Sequence, residues 1–123
     1  MEYKIDASST KAKRYIGALL PSLMDQLKLN RSKKLLHIIV DKDLNEHGIT
    51  MDFTPVTGCY LMVLRGTRNL TELGMTLAHE LVHVKQMASG VLKHSSDGDT
   101  FWCGKKYGQT TRYIDCPWEI QAY

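Results

Sequence analysis

Two histidines four residues apart, the first followed directly by a glutamate, stand at His79-Glu80-Leu81-Val82-His83. On an α-helix, residues four apart lie one above the other, so both imidazoles can reach one metal ion at about 2.0–2.1 Å. Glu80 then projects beside the ion, where a carboxylate can take a proton from a water molecule that the metal polarises. The spacing has this meaning only on a helix, and the segment from Leu70 to Ala88 has helical periodicity. Leu77, Leu81, Val84 and Ala88 fall on one face, and Thr76, His79, Glu80 and His83 fall on another. A polar strip on a helix otherwise suited to burial is the mark of a site, not of a solvated face.

A zinc site that does chemistry has three protein ligands and one open position. Four residues downstream could supply the third: His94, Asp97, Asp99 and Glu119. His94 lies eleven residues past His83, and Asp97 and Asp99 fall in a polar stretch where carboxylates are ordinarily solvated. Glu119 follows Pro117 and Trp118 in a segment apolar enough to be buried, where a carboxylate needs a charged partner. It is the leading candidate. If the reaction develops an oxyanion, a neighbouring donor should assist the metal. Tyr123, four residues past Glu119 on the same face of a short helix, is assigned that catalytic role, with Tyr107, Arg112 and Tyr113 as alternatives.

With these residues in place the sequence resembles the small zinc metallopeptidases of the gluzincin kind, in particular short versions encoded by bacteriophages. The resemblance runs from about Thr76 to Tyr123. It rests on HELVHVKQ from His79 to Gln86, WCGK from Trp102 to Lys105, and PWEIQAY from Pro117 to Tyr123. It implies that His79, His83 and Glu119 bind Zn2+, that Glu80 is the general base, and that the fold is zincin-like. Cys103 departs from the pattern, since a basic residue is expected in its place. The stretch from Asp97 to Trp102 is more weakly similar to SprT-like DNA-associated proteases, where a histidine would occupy the position of Asp99.

The elements that must position these groups follow from the rest of the chain. Ser8, Ser9 and Thr10 offer N-caps to a helix with Ile16, Leu19, Leu20, Leu23 and Leu27 at helical spacing, kinked or restarted at Pro21. Leu35–Val40 reads as a buried strand, and Ile49–Phe53 and Cys59–Leu64 as two more, with Pro55 and Gly58 in the turn between them. After the central helix, which Asn69 or Thr71 can cap and Gly90 can close, come a polar loop from Lys93 to Thr100, a strand Phe101–Tyr107 and a helix from Pro117 to Tyr123. The expected fold is α+β: a small mixed or antiparallel sheet against an N-terminal helix and the His79–His83 helix, with a short C-terminal helix carrying the third ligand. An extended peptide would add beside Cys59–Leu64, the strand that precedes the central helix.

At 123 residues, with 43% hydrophobic and 24% charged, residues 1–123 are expected to form one globular domain. Sixteen Lys and Arg against thirteen Asp and Glu give +3, in small clusters and not a stripe, so no nucleic-acid partner is indicated. Cys59, Cys103 and Cys116 lack the pairing of a disulfide framework and the spacing of a zinc knuckle. No leader or membrane-spanning run is read, so a cytoplasmic monomer acting on a peptide or protein is expected. The competing readings are a zinc-stabilised binding module without turnover and an amidase that cuts cell-wall peptides.

Overall fold

The computed structural model describes residues 1–95, 98–107 and 116–122. Their elements are β1 (Glu2–Asp6), α1 (Thr10–Gln26), β2 (Leu35–Asp41), β3 (Gly48–Asp52), α2 (Thr54–Thr57), β4 (Cys59–Arg65), α3 (Leu70–Ala88), β5 (Leu92–His94), β6 (Thr100–Trp102), β7 (Lys105–Tyr107) and α4 (Pro117–Ala122). This is a small α+β fold with four helices and a mixed sheet.

The main sheet has the order β1-β2-β4-β3, with β1, β2 and β4 parallel and β3 antiparallel to β4. Alternate residues of β2 and β4, Leu36, Ile38, Tyr60, Met62 and Leu64, are buried and meet Ile16, Leu20 and Met24 of α1 and Leu73, Leu77, Leu81 and Val84 of α3 in one core. The two helices touch closely where Gly74 of α3 leaves room for α1: a Cβ there would lie 2.9 Å from the Tyr15 hydroxyl. A second, three-stranded antiparallel sheet, β5-β6-β7, follows α3.

Both long helices start at the caps their sequences offer. Ser9 accepts from the Ala12 amide at 3.2 Å, and Asn69 accepts from the Glu72 amide at 3.2 Å. Helix α1 runs through Pro21 without a restart, because Pro21 lies on the exposed face while Ile16, Leu20 and Met24 hold the other side in the core. On α3 the apolar stripe ends with Val84 and Met87, where the last turn meets β5, and Ala88 is exposed.

Four sequence expectations change, the first being that Lys93, His94 and Thr100, expected at the ends of a polar loop, belong to the paired strands β5 and β6. β1 was not foreseen, although Tyr3 and Ile5 alternate with Glu2, Lys4 and Asp6 as a half-buried strand should. The single strand Phe101–Tyr107 is a hairpin, β6 and β7, turning at Cys103 and Gly104, both with positive φ (51° and 83°). Finally, β4 cannot receive a peptide, because β2 and β3 occupy both of its edges. The strand that precedes α3 in sequence is interior in space, and the edge beside α3 belongs to β3.

Candidate metal centre

Helix α3 presents His79 and His83 one turn apart, with Nε2 of each only 3.2 Å from the other. Helix α4 brings Glu119 over them, and Glu119 Oε1 lies 3.0 Å from both nitrogens. The helix pair has an internal reason to sit there: Trp118 packs against the core and its ring meets Tyr107 edge to face at 5.4 Å. His79, His83 and Glu119 side chains are only 14%, 10% and 12% exposed, so their converging lone pairs are shut away from most of the solvent.

Three donors around a tetrahedral ion at about 2.0–2.1 Å stand about 3.3 Å apart. The observed edges of 3.0, 3.0 and 3.2 Å nearly match that triangle. Two imidazoles and a carboxylate are also the ligand chemistry that zinc takes in hydrolytic sites. The residues present therefore fit such an ion. His79, Glu80 and His83 by themselves form a group that could hold a metal, with ligand atoms within 4.8 Å of one another. Glu80 is the more distant of the two carboxylates, since its Oε2 is 3.9 Å from His79 Nε2 and its Oε1 is engaged elsewhere.

That engagement is with the edge strand. Thr50 of β3 donates its hydroxyl to Glu80 Oε1 at 2.8 Å, and Gly48 two residues earlier lets the carboxylate arm pass. A Cβ on Gly48 would meet Glu80 Cγ and Thr76 Cγ2 at 3.0 Å each. Glu80 is 5% exposed, and burial holds its carboxyl above the ordinary carboxylate range, partly offset by the Thr50 hydrogen bond and the two histidines. For His83, burial opposes the charged form, but Glu119 and Gln86 outweigh it and push the imidazole up.

A cleft of about 300 Å³ opens beside this cluster, lined among others by Gly48, Ile49, Thr50, Glu80, His83, His94 and Glu119. His94 faces the cleft without joining the three donors. Its Nδ1 contacts Thr100 Oγ1 at 3.1 Å, and burial, then His83, lowers its pKa. Asp99 is turned to Lys106 Nζ at 3.1 Å. Asp97, Arg112, Tyr113 and Tyr123 lie outside the described residues. Sequence reasoning missed Thr50, Gly48 and Gln86. Only Gln86 left a local trace, as an amide three residues past His83 on a helix whose inner face is apolar.

Comparison of the chain with protein-family profiles, with curated proteins and with solved structures finds no match in any of the three. The site must speak through its own geometry. Among the described residues no helix is long and apolar enough to cross a membrane.

Proposed function

We propose that the protein is a zinc-dependent peptidase of gluzincin type, with His79, His83 and Glu119 as the metal ligands and Glu80 as general base. The observation that carries this reading is the triangle of His79 Nε2, His83 Nε2 and Glu119 Oε1, edges 3.0–3.2 Å, with a second buried carboxylate held beside it. A group that only stabilised a fold would have no use for Glu80 in that position.

Bound zinc would supply Lewis acidity, lowering the pKa of water and polarising an amide carbonyl. The remaining steps fall to this chain's own groups. Ionised Glu80 accepts a proton as the water oxygen bonds to the carbonyl carbon. It then returns that proton to the amine nitrogen as the C–N bond breaks, leaving a free carboxyl and a free amine. Thr50 orients the Glu80 carboxylate through both transfers. An extended peptide is accommodated along β3, whose outer edge is unpaired among the described residues and whose Gly48–Thr50 segment lines the cleft.

The test is mass spectrometry of a proteome-derived peptide library incubated with zinc-loaded protein, beside Glu80→Gln, which should retain the metal and lose the base. Cuts made by the wild type alone are expected. An absence of cuts from either protein, with one zinc bound per chain, would overturn the peptidase reading in favour of a binding module, and cleavage of peptidoglycan alone would move it to a cell-wall amidase.

A further inference from the structure

We infer that Glu46 is a specificity-determining residue of the cleft, and that the peptides it selects carry a lysine or arginine within about two or three residues of the bond to be cut. This deepens the peptidase reading above and rests on it, but peptide binding tests it separately from cleavage.

Glu46 stands in the turn between β2 and β3, is exposed, and lines the cleft. The ladder between β3 and β4 runs one residue past the strand, since the Arg65 amide donates to the His47 carbonyl at 2.8 Å. Successive side chains on an extended strand point to opposite faces. His47 accordingly turns to the far face, where its ring contacts Arg65 at 3.0 Å, and Glu46 lies with Gly48 and Thr50 on the cleft side. That side is the one from which Thr50 reaches Glu80. Two residues of strand span about 6.8 Å, so Glu46 stands one pleat period from Gly48, where β3 passes Glu80.

The charge on the cleft wall is one-sided. The chain has sixteen Lys and Arg, yet none lines the cleft among the described residues, whose ionisable groups there are Glu46, Glu80, Glu119, His83 and His94. Even with a divalent ion at the candidate centre, Glu80 and Glu119 match its charge and Glu46 is left over. The cation that folds against the same turn is engaged elsewhere: Arg65 donates to the Asn45 carbonyl at 3.2 Å and lies 3.7 Å from Glu72 Oε1. Glu46 itself has no ion-pair partner among the described residues. A peptide laid along the β3 edge therefore runs past an unanswered negative charge. Lysine and arginine answer it, because their aliphatic stems span the gap from the strand while the charged head stays in the wet rim beside Glu46. The chain as a whole carries +3, so the attraction is local to the cleft and not a property of the whole surface.

The probes are two fluorescein-labelled octapeptides, one alternating alanine with lysine and the other alanine with glutamine, so that a shift by one pleat period leaves the side chain facing Glu46 unchanged. Their Kd values for zinc-loaded Glu80→Gln, which should hold peptides without cutting them, are read by fluorescence anisotropy. The lysine peptide should bind about 2–5-fold more tightly at about 0.1 M salt, the range of an exposed ion pair, and the advantage should vanish near about 1 M. Adding Glu46→Gln should bring the two Kd values together, and adding Glu46→Lys should reverse their order. Adding Glu2→Gln, which removes the same charge from β1 at the opposite edge of the sheet, should leave the ratio as it was. In the peptide library, cuts by the wild type should show lysine or arginine enriched on one side of the bond only, the side that Glu46 overlooks. Equal affinity for the two peptides, or a preference that survives Glu46→Gln, would overturn the inference, and so would its loss with Glu2→Gln. A lysine preference in binding without cleavage of any peptide would sink the proposed reaction and leave Glu46 its role. Cleavage with no preference for basic residues would do the reverse.

Discussion

Two histidine–carboxylate contacts in this chain join the same kinds of group in opposite surroundings. His37 Nε2 meets Asp6 Oδ2 across β1 and β2, with side chains 31% and 50% exposed and Lys4 3.8 Å away. His83 Nε2 meets Glu119 Oε1 with side chains 10% and 12% exposed, and each of the two is also within 3.0–3.2 Å of His79. In the first pair water can take over either partner, and the pair contributes little beyond holding Asp6 below the usual carboxylate range through its hydrogen bond with His37. In the second, water reaches the groups only from the cleft side, so removing one leaves the others poorly compensated or in need of a cation. The same chemistry is a surface contact in one place and a candidate binding site in the other, and the deciding variable is how many polar groups share one largely buried space.

The sharpest way to break this contrast is to remove one carboxylate from each pair. Glu119→Ala should cost more zinc affinity than the about 10–100-fold typical of losing an outer-shell partner, measured by chelator competition. Zinc at about 100 times its Kd should raise the wild-type Tm by roughly 10 °C, an increment that Glu119→Ala loses. Equal zinc stabilisation of the two proteins would show that Glu119 is no ligand. Gly48→Ala comes next: its methyl collides with Glu80 and Thr76, and overpacking of that kind costs about 1–3 kcal/mol, read from urea midpoints.

A smaller effect is expected from Thr50→Val, which keeps the shape and deletes the hydrogen bond to Glu80. That bond lowers the Glu80 pKa while burial raises it, so its loss moves the pKa further up. The base must be ionised, so the acid limb of kcat/KM shifts to higher pH, and activity falls more at pH 6 than at pH 8. An unmoved limb would remove Glu80 as the titrating base. The stability sign agrees: a carboxyl raised by folding contributes most at low pH, and that contribution fades as pH rises through the folded value. Asp6→Asn should do least, with Tm at neutral pH unchanged and zinc affinity intact. Asp6 is depressed, so whatever it adds is present above its ordinary pKa and disappears as pH drops through the lowered one.

What could be read from the sequence was what local chemistry determines. The caps at Ser9 and Asn69, the span Leu70–Ala88 and the start of the last helix at Pro117 all depend on residues within a turn of one another. The histidine pair was legible for the same reason. Glu119 needed more, since only its apolar neighbours pointed inward, and the structure brings it to His79 across 40 residues. Thr50 and the β3 edge were not legible, because nothing in Ile49–Asp52 states that β3 will pair outside β4 and not the reverse. Gln86 is the instructive miss. Its position was visible, but its partner, the Trp118 carbonyl, lies 32 residues away.

Helix α4 is six residues long, and a helix of that length has no stability of its own in water. Its Glu119 and Ile120 amides both bond to the Cys116 carbonyl, at 3.0 and 3.1 Å. Those two amides can be protected from exchange with deuterated solvent only for as long as the segment stays seated. Set against the exchange of amides in α1, α3 and the sheet, their rate would measure whether this seam opens before the core does.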